Sequence, residues 1–209
     1  MSGMRLRAVS LLAALVVAGC GATKTATPTT SVTTTTPVAT TAAGSTASAG
    51  ALQAEANASA TGDIPDNQVF LTFRNSAAGY SMKYPEGWAQ SGKGSHLAFR
   101  DKNNVVRVVV LEAAMPNAAA VSGQLGALKG VHVQSGPQRL AISGARPAIK
   151  VVYTTQSTPN AVTGKRVTLV VDRYYFAHAG KEAIVDLGTP VGVDNVDAYR
   201  LMIESFRWR

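Results

Sequence analysis

The sequence predicts an α+β domain in which an antiparallel β-sheet is flanked by helices, an α/β/α sandwich, and three observations carry that expectation. From Asp66 to Arg209 the apolar residues recur mainly with a period of two, as in strands with one buried face. Only Asn117–Leu128 and Asp194–Phe206 carry helical spacing instead. The strands follow one another without regular β-α-β alternation, which argues against a doubly wound nucleotide-binding fold.

Val69, Leu71 and Phe73 alternate with Phe70, Thr72 and Arg74, and Tyr80, Met82 and Tyr84 alternate with Ser81 and Lys83, so two strands open the domain. Pro85-Glu86-Gly87 ends the second. Gly92-Lys93-Gly94-Ser95 lacks the spacing of a phosphate-binding loop and reads as a hairpin loop between Trp88 and Leu97. Leu97 and Phe99 begin another strand, and Lys102-Asn103-Asn104 reads as a hairpin turn. Val105–Leu111 is a β-branched run broken only by Arg107, the pattern of a strand buried on most of both faces. Behind Pro116, Val121, Leu125 and Leu128 predict a short helix, although Gly123 and Gly126 each weaken it by about 1 kcal/mol relative to Ala.

Strand-like segments follow at Val131–Val133, Arg139–Ile142, Ile149–Thr155, Arg166–Ala177 and Glu182–Leu187, with Gln156–Gly164 as the loop between the two longest. In the closing helix Val196, Tyr199, Met202, Ile203 and Phe206 form one apolar stripe. Asp194 is placed to cap it, Asp197 lies in its first turn, and Arg207 and Arg209 follow its last, all in accord with the helix dipole.

The chain has 209 residues, 46% hydrophobic and 15% charged, which excludes disorder throughout. Its formal charge is +8, but Lys83, Lys93, Arg100, Arg107, Lys129, Arg139, Arg146, Lys150 and Lys181 are dispersed, so a polybasic nucleic-acid binder is not expected. A single cysteine closes no intramolecular disulfide and builds no thiolate metal cluster.

That cysteine gives the address. Arg5 and Arg7 precede the apolar stretch Ala8–Ala18, about eleven residues and too short for the roughly 18 to 20 of a membrane-spanning helix. Val17-Ala18-Gly19-Cys20 resembles the lipobox of bacterial lipoproteins. The resemblance implies a signal peptide over 1–19, cleavage between Gly19 and Cys20, and a lipid anchor on the Cys20 thiol, with acyl chains such as palmitate holding the protein on the extracytoplasmic face of the cell membrane. Two or three chains, at about 0.8 kcal/mol per buried CH2, make such attachment stable. Residues 20–65, nearly all Thr, Ala, Ser, Pro and Gly up to Gly62, then read as a disordered tether with a relaxed reach of roughly 35 Å. The globular domain is read over 66–209.

Gly79-Tyr80-Ser81-Met82-Lys83-Tyr84-Pro85-Glu86-Gly87-Trp88 resembles the opening signature of PsbP-like domains, and Asp194–Arg207 is similar to their C-terminal helix, which commonly ends in a Ser-Phe pair, here Ser205-Phe206. The resemblance covers the two ends of the domain and implies the Mog/PsbP fold. Such domains occur in plant photosystem subunits, a nuclear-transport factor and bacterial lipoproteins. It implies a non-catalytic domain that docks onto other macromolecules, and Tyr80, Tyr84 and Trp88 are expected in the core.

No catalytic constellation is legible. His96, His132 and His178 are isolated, with no second ligand-type residue at metal-binding spacing, and His132 reads as an outward strand residue. No Gly-x-Ser-x-Gly elbow is present, and the carboxylates Glu86, Asp101, Glu112, Asp172, Glu182 and Asp186 are spread over different elements. The expectation is therefore a lipid-anchored, extracytoplasmic, monomeric binding domain without catalytic, metal or cofactor site, attached to the membrane through Cys20 and engaging a protein or an anionic envelope polymer, with no nucleic-acid partner. Lys165, Arg166 and Arg173 mark the expected partner surface. A small-molecule or lipid carrier, with an apolar cavity between sheet and helix, and an envelope hydrolase remain the alternatives.

Overall fold

The computed structural model describes residues 50, 51, 53, 54, 57, 61–143, 146–160 and 162–209. The expected signal peptide, Gly19, Cys20 and most of the segment read as a tether lie outside them. The elements are β1 (Phe70–Asn75), β2 (Tyr80–Pro85), β3 (Ala89–Lys93), β4 (His96–Asp101), β5 (Asn104–Glu112), α1 (Ala118–Gly126), β6 (His132–Ile142), β7 (Arg146–Gln156), β8 (Thr168–His178), β9 (Lys181–Pro190), α2 (Val196–Glu204) and β10 (Arg207–Trp208). Seven strands form one antiparallel sheet in the order β3-β4-β5-β9-β8-β7-β6, and β1-β2-β10 form a second, three-stranded one. The architecture is an antiparallel β-sheet with helices, as expected; the small second sheet was not.

Alternation sorts the large sheet into two cores. Val106, Val108 and Val110 of β5, Tyr174 and Phe176 of β8, and Ala183, Val185 and Leu187 of β9 pack with Tyr80, Met82 and Trp88 and with Tyr199, Met202 and Ile203 of α2. On the opposite face Val105, Ile149, Val151, Tyr153, Leu169, Val171 and Tyr175 pack with Val121 and Leu125 of α1. β5 is thus buried on both faces, as its unbroken β-branched run requires. Tyr80 and Trp88 are buried, and Tyr84 is half-buried, its ring stacked on Phe99 at 4.3 Å.

Several elements depart from the expectation. The stretch before Leu97 is a strand, β3, whose five residues are all exposed and so carry no apolar alternation to read. Gly92 sits in this hairpin with φ +85°, and a Cβ there would lie 2.4 Å from the His96 carbonyl oxygen, so the hairpin requires glycine. His132-Val133, of the segment expected at Val131–Val133, and Arg139–Ile142 are not separate strands but parts of β6, whose register against β7 shifts between Val133 and Ser135 and again between Ser135 and Gln138. Pro137 is tolerated there because β6 is the sheet edge. Asn117 caps α1 by accepting the Ala120 N–H at 2.8 Å.

A few residues within 20–65, the span read as tether, are among those described. Gly50, Ala51, Gln53, Ala54, Asn57 and Thr61 are helical and exposed, in keeping with the propensity of alanine. Ile64 is buried in the core, ahead of Asp66, and its N–H donates to Asn195 Oδ1 at 2.8 Å. Asn195 occupies the N-cap position of α2 but turns its side chain inward, while Asp194 Oδ1 accepts the Val196 N–H at 3.2 Å. Val196, expected in the buried stripe, is 70% exposed.

Candidate functional site

The residues expected to form a partner surface do not act together. Arg173 Nε and Nη2 donate to Asp186 Oδ1 and Oδ2 at 2.6 and 2.9 Å, and the guanidinium lies 5.3 Å from the Tyr153 ring centre. Burial pulls its pKa down, but the hydrogen bonds and charge of Asp186 outweigh that and hold it above the ordinary arginine value. Its charge is spent inside the fold. Arg166 Nη1 donates to the Ser157 carbonyl at 2.7 Å, closing the β7–β8 loop, and Lys165 is exposed on that loop. The histidines His96, His132 and His178 stand exposed on β4, β6 and β8. Among the described residues no three His, Cys, Asp or Glu side chains gather as a metal site.

The cations that converge lie around α2. In β1 and β2 the register pairs Thr72 with Lys83 and Arg74 with Ser81, and β10 sets Arg207 opposite Ser81. Period two therefore places Arg74, Lys83 and Arg207 on one face of the small sheet, while Phe73 and Met82 turn to the core. The Lys83 N–H donates to Ser205 Oγ at 2.8 Å, and that hydroxyl donates to the Met202 carbonyl at 2.6 Å, which latches the end of α2 to β2. Between helix and sheet runs an open groove of about 850 Å³, lined by Arg74, Lys83, Arg200, Arg207 and Arg209 with Asp197 and Glu204 as its carboxylates.

Asp197 is taken by Arg200 at 2.9 Å, and Arg207 Nη1 donates to the Glu204 and Phe206 carbonyls. Among the described residues the side chains of Arg74, Lys83 and Arg209 have no ion-pair or hydrogen-bond partner. Arg146, whose Nη1 also donates to the Phe206 carbonyl, is held below the ordinary arginine pKa by burial and by the like charge of Arg207. The groove thus concentrates positive charge that the fold leaves uncompensated.

On the other side of α2 a half-open cleft of about 510 Å³ runs along the junction of the helix with the large sheet. Val170, Tyr174 and Leu187 form its floor, and Val196, Tyr199 and Ile203 its helical wall. Lys150 Nζ and Asp172 Oδ2 pair at 2.6 Å on the sheet side, with the ammonium 5.4 Å from the Tyr174 ring centre. A third hollow, of about 590 Å³ at the start of α2, carries Asp63, Asp66, Asp194 and Asp197. The helix therefore runs from an acidic hollow to a basic groove. Sequence reasoning missed the groove because its cations come from β1, β2, α2 and the C-terminal strand; the one local signal was that Arg74 and Lys83 both occupy polar positions of the alternation.

No family model and no curated protein matches the chain. Among solved structures it is similar to cyanobacterial PsbP (CyanoP) from Synechocystis sp. PCC 6803, at 15% identity over 71% of this chain and 98% of that one, with a TM-score of 0.46. It is also similar to the Saccharomyces cerevisiae Ran-binding protein Mog1p, at 8% identity over 68% of this chain and 96% of that one, with a TM-score of 0.42. A third is a Bacteroides thetaiotaomicron VPI-5482 protein at 12% identity and a TM-score of 0.44; the alignment spans 66% of this chain and 48%, about half, of that one. Likeness at this level assigns no function.

Proposed function

We propose that this protein is a lipid-anchored extracytoplasmic domain that acts by binding an anionic partner and performs no chemistry of its own. The observation that carries the reading is the groove beside α2, where Arg74, Lys83 and Arg209 present cations that no carboxylate of the described residues answers. The lipobox-like Val17–Cys20 supports the anchor, and the PsbP-like character of the two ends of the domain supports docking rather than catalysis. The cleft under α2 favours a second reading, a carrier, because its apolar floor and volume of about 510 Å³ fall within the roughly 300–1,000 Å³ of small-molecule sites.

The test is retention of the unlipidated exported chain, Cys20→Ala, on the washed envelope fraction of its own cells. Wild-type charge should give retention that falls steeply with added salt, and Arg74→Glu/Lys83→Glu/Arg209→Glu should abolish it. Equal retention of the two forms would overturn the reading.

A further inference from the structure

The cleft and the groove are two parts of one concavity. Arg200 and Glu204 of α2 line both. Opposite them Ile142, the last residue of β6, lines the cleft, and the next residue, Ser143, lines the groove. The apolar cleft therefore opens into the basic groove between the edge of α2 and the end of β6. Helical spacing explains the arrangement, since Val196, Tyr199 and Ile203 face the cleft, Asp197 and Leu201 face the groove, and positions 200 and 204 form the ridge between them.

The two halves differ in what they accept. Aliphatic and aromatic side chains predominate in the cleft, with polar groups such as Thr189 and Asn195 among them, and Val196 at its helical wall is 70% exposed, apolar surface left without a partner. The half-buried pair of Lys150 with Asp172 at the cleft's sheet side neutralises itself and sets no demand for a charged ligand atom. A methylene occupies on the order of the ~30 Å³ of a liquid water molecule, so a cleft of about 510 Å³ is on the scale of one acyl chain. The groove supplies cations from β1, β2 and the C-terminal strand, an arrangement that suits a phosphate with several oxygens more than a single carboxylate. Of the groove's two carboxylates Asp197 is paired with Arg200, and Glu204 at the ridge keeps the anionic end beyond the ridge, toward Lys83 and Arg207.

We propose that cleft and groove together form a binding site for a single-chain anionic amphiphile, its acyl chain lying along α2 in the cleft and its phosphate head among Arg74, Lys83 and Arg207 in the groove. The assignment rests on the reading of the groove as an anion site and names its ligand. Tethered at a membrane, the domain has such molecules within reach.

Titration calorimetry on the exported Cys20→Ala chain tests it, with lysophosphatidylglycerol below its micellar concentration, lysophosphatidylcholine of the same chain length, and glycerol 3-phosphate as probes. The expected order is lysophosphatidylglycerol at least tenfold tighter than lysophosphatidylcholine and at least a hundredfold tighter than glycerol 3-phosphate. Val170→Trp, which fills the cleft, and Val196→Glu, which places a carboxylate at an exposed wall position, should each weaken lysophosphatidylglycerol at least tenfold. Arg74→Glu/Lys83→Glu should reduce it to the level of lysophosphatidylcholine. Equal binding of the two lysolipids would show that the head is not read and overturn the proposal. Equal binding of lysophosphatidylglycerol and glycerol 3-phosphate would overturn it by showing that the cleft is unused, while leaving the anion groove standing. Failure of every probe with envelope retention intact would overturn the amphiphile alone, and failure of both experiments would overturn the groove as well.

Discussion

Arg173 and Asp186 form a two-bond fork across neighbouring strands, Nε to Oδ1 at 2.6 Å and Nη2 to Oδ2 at 2.9 Å, with Arg107 Nη2 a further 3.6 Å from Oδ2. The register sets all three residues in one lateral row, Arg107 opposite Asp186 and Asp186 opposite Arg173. Asp186→Ala would leave two guanidinium groups facing each other over the sheet. Removing one partner of a buried pair costs roughly 3–5 kcal/mol, and the urea midpoint should fall accordingly. The double variant Arg173→Met/Asp186→Leu should lose less than Asp186→Ala alone. A midpoint for Asp186→Ala indistinguishable from wild type would show that the fork is not a structural element.

The same fork explains which parts of this protein are readable from its chain. Alternation located β2, β4 and β5 because each has a buried face that writes itself into every second residue. β3 carries no such record: Ala89–Lys93 are all exposed and joined to β4 through the backbone alone. β6 was divided because two register shifts break its period. Arg173 reads as a surface cation because its partner lies on the next strand, where only the β8–β9 register brings it near. The basic groove was illegible for the same reason, being assembled by pairing Arg74 with Ser81 and Ser81 with Arg207. Ser205-Phe206 was visible as a pattern but not as a mechanism: Ser205 latches α2 to β2, and the Phe206 ring stacks at 4.8 Å on Phe176 and 5.5 Å on Tyr80.

Asn195 ties three chain segments together. Its Nδ2 donates to Thr189 Oγ1 at 2.8 Å and to Asn104 Oδ1 at 3.2 Å, its Oδ1 accepts the Ile64 N–H, and Asn104 Nδ2 donates to the Gly62 carbonyl. Asn195 and Asn104 are buried, so Asn195→Ala strands several polar groups and should destabilise by about 2–3 kcal/mol in denaturant unfolding. Asp194→Ala removes only the exposed contact to the Val196 N–H and should cost about 1 kcal/mol or less. Equal losses for the two would mean that the network adds nothing beyond helix capping.

Glu182 in β9 is 3% exposed, and its Oε1 has no hydrogen-bond partner among the described residues. Burial raises its pKa above the ordinary value of 4.5. The folded state then holds the proton more tightly than the unfolded chain, so stability is unaffected by this group below the ordinary value and declines as pH rises from there through the raised one. Above that window the full penalty of a buried carboxylate remains. Glu182→Gln should raise the melting temperature at pH 7 by a few degrees and flatten the stability profile across the window. A variant less stable than wild type at pH 7, with the same pH profile, would refute the account.

Lipid attachment makes a prediction independent of the groove. If Cys20 carries the anchor, Cys20→Ala in growing cells should, after a high-salt wash that releases charge-held protein, either move the domain out of the membrane fraction or leave uncleaved precursor, because both cleavage before Cys20 and acylation of its thiol require that residue. Charge reversal at Arg74, Lys83 and Arg209 should leave the wild-type Cys20 protein in the membrane fraction at high salt, since acyl chains hold against salt and surface charge does not. Fractionation with a salt wash, read by immunoblot, separates the two attachments. Correctly processed Cys20→Ala protein that stays with the membrane after the wash would refute the anchor and leave the domain itself as the membrane-binding element.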